Sequence, residues 1–217
     1  MMFRFLFRLR LLFVCGFLFN TFNTTSAYAA PPTILVYGDS LSAAYGIPRE
    51  QGWVALLQQR LKDEGLTHQV VNTSISGETT TGGSSRIAAT LKAHQPDIVL
   101  IELGANDGLR GLPLADMQNN LKQMIEACQQ AKARVVLVGM MLPPNYGPRY
   151  AREFNQTYTN LAKEYRLALV PFLLADVAGK PTLNQDDGLH PTAQAQPQVL
   201  GNVWSILKPV LVSQKAR

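Results

Sequence analysis

Short apolar runs rich in β-branched residues alternate with longer segments in which apolar residues recur every three or four positions, from residue 33 almost to the C-terminus. The short runs predict strands at Thr33–Tyr37, Gln69–Ile75, Asp97–Leu103, Arg134–Met140 and Ala168–Phe172. Several are apolar nearly throughout, the pattern of strands covered on both faces. The longer segments predict helices over Pro48–Glu64, stopped by Gly65, and over Thr80–Ala93, Pro113–Ala131, Tyr150–Tyr165 and Thr192–Ser213. In the first of these, Trp53, Leu56, Leu57 and Leu61 form an apolar face, with Arg60 set among them. Strands alternating with helices form βαβ units, so the expected fold is α/β, a three-layer α/β/α sandwich around about five parallel strands. No internal repeat, charge block or low-complexity linker interrupts the alternation.

The N-terminus lies outside this pattern. Arg4, Arg8 and Arg10 precede a short apolar stretch, Leu11–Phe19, and Ala27-Tyr28-Ala29 supplies a small-x-small cleavage site, which together read as a secretory signal over residues 1–29. The apolar stretch is shorter than the roughly 20 residues needed to span a bilayer. Cleavage after Ala29 is preferred to cleavage after Ala30, because the latter would set bulky Tyr28 three residues back and Pro31 directly after the cut. Cys15 lacks the small-residue setting of a lipoprotein site, so no stable membrane anchor is expected on the mature chain.

Removing 29 of 217 residues leaves 188, a single domain over 30–217. The net charge of +5 includes the three signal arginines and no signal acid, so the mature chain carries +2, which is no nucleic-acid footprint. Cys128 is then the one remaining cysteine and no intramolecular disulfide can form, which fits a bacterial periplasm or medium. A monomer is expected.

In parallel sheets of this kind ligands collect beyond the carboxyl ends of the strands, and the chemistry-bearing residues fall on those loops. Ser40 follows the first strand in Gly38-Asp39-Ser40-Leu41-Ser42-Ala43-Ala44, Gly77 follows the second, Asn106 the third, and a loop from Leu142 to Arg149 the fourth. Near the C-terminus, Asp187-Gly188-Leu189-His190 sets a carboxylate three residues before an imidazole. A serine hydroxyl becomes a nucleophile when a histidine takes its proton, and the histidine does this best when a carboxylate fixes its tautomer. Gly77 offers an unobstructed backbone N–H and Asn106 a side-chain amide, which with the N–H of Ser40 would make a three-donor oxyanion hole. Met140, Met141, Leu142, Pro143-Pro144 and Tyr146 could line a groove for an acyl chain.

Each loop also has a plainer explanation. Gly-Asp-Ser and Asn106-Asp107-Gly108 are ordinary turn sequences, Pro191 and Thr192 suit a helix start, and Met140 and Met141 could simply end a core strand. Turn chemistry does not explain why a serine, a glycine, an asparagine and an Asp/His pair all occupy strand-exit loops. His68 and His94 have no liganding neighbours, no P-loop or G-x-G-x-x-G is present, and no G-x-S-x-G elbow surrounds any serine. Neither a metal nor an organic cofactor is expected, and the arrangement points to a serine hydrolase other than the α/β-hydrolase kind.

The blocks GDSLSAAYG, SISGETTTGG, ELGANDGLRG, LPPNYGPRY and QDDGLHP resemble the GDSL, or SGNH, hydrolase family throughout the mature sequence, with closest similarity to its bacterial periplasmic thioesterase and lysophospholipase type. The resemblance implies a flavodoxin-like sheet, Ser40 as nucleophile, Gly77 and Asn106 as oxyanion donors, His190 as base and Asp187 as its orienting acid. It implies hydrolysis of acyl esters, thioesters or lysophospholipids, with carbohydrate deacetylation or a catalytically silent binding protein as the rival readings. Two positions depart from the pattern: Ala105 stands where this type usually has a second glycine, and Ala44 where a glycine commonly follows the serine block. Asp39, beside the nucleophile, is expected to shape the turn.

Overall fold

A computed structural model describes residues 30–212, in which the five apolar runs become β1 (Thr33–Gly38), β2 (Gln69–Asn72), β3 (Ile98–Glu102), β4 (Arg134–Val138) and β5 (Ala168–Val170). They form one parallel sheet in the order β2-β1-β3-β4-β5, with Ile34 of β1 opposite both Val70 of β2 and Ile98 of β3. The helices are α1 (Trp53–Asp63), α2 (Thr80–His94), α3 (Ala105–Leu109), α4 (Leu114–Gln130), α5 (Pro148–Tyr165) and α6 (Gln196–Val212). Helix α1 packs with α6, while α4 packs with both α2 and α5. The two groups cover opposite faces of the sheet, and all five residues of β3 are buried. From Pro31 onward the described residues make one compact unit. The expected signal segment, residues 1–29, and Ser213 at the end of the last expected helix lie outside the described residues.

Strand order decides where a site can form. The chain leaves β1 toward β2 on one side and returns to β3 on the other, so the winding reverses between β1 and β3 and their carboxyl ends open a crevice. Ser40 and Asn106 follow those two strands.

Where the elements differ from expectation, the backbone supplies the reason. The first expected helix is broken at Gly52, which is extended (φ −69°, ψ 151°) between a 3₁₀ turn at Arg49–Gln51 and α1. A Cβ at Gly52 would lie 2.8 Å from that of Ala44, so the helix start presses on the serine block. Trp53 N–H, one of the donors a helix start leaves over, finds Gln196 Oε1 on α6 at 2.9 Å. β5 ends at Val170 because Pro171 has no N–H to continue the ladder. Asn106-Asp107-Gly108, expected to be a turn, lies in the short helix α3. None of the described helices is long and apolar enough to cross a membrane.

Candidate active site

β1 delivers its last residues into a tight approach to β3. A Cβ at Gly38 would sit 2.5 Å from Glu102 Oε2 and 2.9 Å from Ser42 Oγ, so only glycine fits there. Asp39 then folds the next turn: its Oδ1 accepts Leu41 N–H at 3.0 Å and its carbonyl accepts Ala43 N–H at 2.9 Å, leaving Ser40 at the lip of the crevice.

The C-terminal loop brings a histidine to it. His190 Nε2 lies 2.8 Å from Ser40 Oγ, and Nδ1 lies 2.6 Å from Asp187 Oδ2. The other Asp187 oxygen accepts the N–H groups of Leu189 (2.8 Å) and His190 (2.9 Å). Burial pushes the Asp187 carboxyl up, but the His190 N–H, the His190 ring and the Leu189 N–H outweigh it and hold the group below the usual carboxylate range. An ionised Asp187 keeps the proton on Nδ1, which frees Nε2 to accept from the serine. Asp186 takes no part in these contacts.

The expected oxyanion donors lie on the neighbouring loops. Gly77 is at φ +79°, and neither its N–H nor that of Ser40 donates to any group among the described residues. The Asn106 amide donates to Asp39 Oδ2 and to the carbonyl of Glu78, each at 3.0 Å. Asn106 is thus brought to within one residue of Gly77 and one of Ser40.

Several supporting residues escaped the sequence reading. Asp107, buried on α3, accepts Thr80 N–H at 2.8 Å and Thr80 Oγ1 at 2.6 Å, capping α2 from another element. Arg86 grips the Glu78 carboxylate with its Nε 2.7 Å from Oε1, and stacks over the Tyr37 ring at 3.9 Å. Arg110 donates to the Gly77 carbonyl at 2.9 Å. The Tyr45 ring lies 4.6 Å from that of His190, and Gln185 Nε2 ties the Tyr45 carbonyl to that of Pro191. Glu102 is fully buried; its Oε2 accepts Ser42 Oγ at 2.7 Å and Asp39 N–H at 3.3 Å, while Oε1 has no partner. Burial, and then the Asp39 charge, push its carboxyl well above the usual range. Burial likewise pushes Asp39 up, to about 6, against the lowering effect of Leu41 N–H, His190 and Asn106. The signal for Glu102 was present in the sequence as an acid ending an otherwise apolar strand.

A cavity of about 530 Å³ opens beside Ser40 and His190. Its walls are mostly apolar, with Met140, Met141, Leu142, Pro143, Phe172 and Leu174 contributing. Met140 is both the buried end of the core and part of the wall, while Met141 is 48% exposed. Tyr146 does not belong here, contrary to the expectation. The 3₁₀ turn Pro144–Tyr146 carries it away, its hydroxyl donates to the Leu109 carbonyl at 2.9 Å, and it borders a separate depression with Pro148 and Tyr150. Among the described residues no group of three or more His, Cys, Asp or Glu is placed to hold a metal ion.

Comparison with known proteins covers the same stretch of the chain. The sequence profile of the GDSL-like lipase/acylhydrolase family matches residues 36–196. The chain is 52% identical over 183 residues to Esterase TesA of Pseudomonas aeruginosa, covering 84% of this chain and 91% of that one. It is 42% identical over 195 residues to thioesterase 1/protease 1/lysophospholipase L1 of Escherichia coli K12, covering 90% and 92%. The crystal structure of the psychrotrophic esterase EstA from Pseudoalteromonas sp., inhibited by monoethylphosphonate, superposes with a TM-score of 0.79 at 45% identity, over 82% of this chain and 98% of that one. With the family profile spanning the serine block and most of the sheet, the chain belongs to the GDSL-like lipase/acylhydrolase family and is an esterase of the SGNH type.

Proposed function

We propose that the protein is an exported serine esterase that moves the acyl group of single-chain esters and thioesters first to Ser40 and then to water. The observation that carries this reading is the contact of Ser40 Oγ with His190 Nε2 at 2.8 Å, at the mouth of the apolar cavity. His190 takes the Ser40 proton as Oγ attacks the acyl carbonyl, and Asp187 steadies the imidazolium. The carbonyl oxygen becomes an oxyanion facing the N–H groups of Ser40 and Gly77 and the amide of Asn106, each such donor being worth about 10²–10³ in rate. Collapse expels the alcohol or thiol, which takes its proton from His190. Water, deprotonated by His190, then attacks the acyl-serine and releases the acid and the free Ser40 hydroxyl.

The apolar lining supports an acyl chain in the cavity rather than an acetylated sugar, which calls for a polar cleft. The basic start, apolar stretch and small-x-small site support removal of residues 1–29 and work outside the cytoplasm. Acyl-CoA is cytosolic, so lysophospholipids and other single-chain esters are the natural substrates, and thioester cleavage is a capacity of the same site.

The test is hydrolysis of p-nitrophenyl esters from acetate to palmitate beside a lysophospholipid, with wild type and Ser40→Ala. Turnover rising with chain length, loss of all activity in Ser40→Ala, and a phosphonate adduct on Ser40 are the expected results. Full activity in Ser40→Ala, or label on another serine, would refute the mechanism. An N-terminus at Ala30 on protein recovered from outside the cytoplasm tests export.

A further inference from the structure

The residue before the nucleophile has two oxygens with different tasks. Asp39 Oδ1 accepts Leu41 N–H and shapes the nucleophile turn, as the sequence implied. Asp39 Oδ2 faces Asn106 Nδ2 at 3.0 Å, which turn formation does not require. The side chain is about as buried as any in the protein, at 1% exposure, and beneath it lies the fully buried Glu102, whose Oε2 accepts the Asp39 N–H. Two acids in a dry crevice are costly, and neither is paired with a cation there. Their retention beside Ser40 asks for a use.

An asparagine amide is nearly symmetric in shape, and its partners alone decide which end points where. Asn106 Nδ2 has two acceptors, Asp39 Oδ2 and the Glu78 carbonyl. Both select the orientation in which nitrogen, not oxygen, faces the nucleophile turn. We propose that Asp39 is a positioning residue for the oxyanion hole: its distal carboxylate oxygen holds one N–H of the Asn106 amide, so that the other, which in the free enzyme bonds the Glu78 carbonyl, is the one the reacting oxyanion takes over. This rests on the reading of Asn106 as an oxyanion donor. Glu102 contributes from below, holding the Asp39 backbone and Ser42 so that the carboxylate cannot swing away.

Asp39→Asn separates the two tasks. The new amide oxygen is drawn to Leu41 N–H, which keeps the turn, so its NH₂ end meets Asn106 Nδ2, donor against donor. Asn106 is relieved by turning its oxygen toward the cavity, where it repels the oxyanion instead of binding it. A carboxylate needed only for turn geometry would leave kcat per folded molecule nearly intact.

The experiment is a double-mutant cycle of Asp39→Asn and Asn106→Ala on the full enzyme, reading kcat and KM on one p-nitrophenyl ester. Folded protein is counted from the amplitude of the thermal transition. The expected result is a kcat loss of about 100-fold or more for each single variant, with KM within about 3-fold. In the Asn106→Ala background, Asp39→Asn should change kcat by less than about 3-fold, because nothing remains to be aimed. Where Asp39→Asn fails to fold, Asp39→Ser, which cannot reach Asn106, replaces it with the same expected outcome. Losses that multiply in the double variant would overturn the proposal, as would near-normal kcat for Asp39→Asn beside a damaged Asn106→Ala; both leave the oxyanion reading intact. Near-normal kcat for Asn106→Ala would remove the oxyanion reading, and the proposal with it.

Discussion

The two halves of the crevice around Ser40 are built on opposite physical plans. On the side of β1, α2 and α3, nearly every group is fixed by a directed bond: Asp39 to Leu41 and Asn106, Asn106 to Glu78, Glu78 to Arg86, Asp107 to Thr80. On the side of β4 and β5, Met140, Met141, Leu142 and Phe172 line the cavity with apolar side chains that impose no direction. Hydrogen bonds specify angle and distance, whereas apolar contact specifies area alone. A transition state has one geometry and needs the first kind of wall. A set of acyl chains of different lengths has none in common and is served by the second. Under the proposed function, the difference assigns chemistry and substrate range to separate walls, which should then respond to mutation separately.

The hardest blow to the polar half is Asp187→Asn, which keeps the shape of the loop but favours the wrong imidazole tautomer. A kcat loss of up to about 10⁴-fold is expected, whereas Asp186→Asn should stay within about 3-fold; pre-steady-state and steady-state kinetics on both variants check it. The second effect is on stability and follows from the raised Asp39 carboxyl. The folded state holds that proton to a higher pH than the unfolded chain does, so folding is most favoured below about pH 4 for this group, and stability is lost as pH rises to about 6. Asp39→Asn removes this dependence. The melting temperature of the variant relative to wild type should therefore climb between pH 4 and pH 6 and level off above. A flat difference across that range would contradict the assignment.

In the apolar half, Met141→Ser should lower kcat/KM for palmitate about 10-fold and leave acetate unchanged, the reverse of the pattern expected from the polar wall; the chain-length series reads this directly. The smallest effect concerns Ala44, which sits at φ +62° where a glycine would be relaxed. Ala44→Gly should stabilise the protein by up to about 1 kcal/mol with activity preserved, as measured by urea denaturation.

The same division explains what could be read from the chain beforehand. Strands and helices were legible because burial on both faces writes uninterrupted apolar runs, and the contacts among Ser40, His190 and Asp187 were legible because a serine, a histidine and an acid on strand-exit loops restrict residue type. The departure at Ala44 was visible, but its cost was not, since the positive φ there is a property of the folded loop and not of the residue type. Tyr146 is not among the residues lining the cavity, because sequence gives proximity along the chain and not the direction in which a 3₁₀ turn points its own last residue. Asp107 and Gln185 were missed because their partners, Thr80 and Tyr45, are 27 and 140 positions away. Such long-range polar bonds leave no periodicity.

Ser40 and His190 are separated by 150 positions. The loops after β1, β2 and β3 bring together Ser40, Gly77 and Asn106, while His190 arrives only with the segment beyond β5. With the roles proposed above, a chain still emerging from its synthesis would carry nucleophile and donors without a base. Contacts this distant close late, since the intervening loop entropy is lost before they contribute. Recovery of ester hydrolysis during refolding should then trail the recovery of sheet signal, which makes the enzyme its own clock for the docking of its final segment.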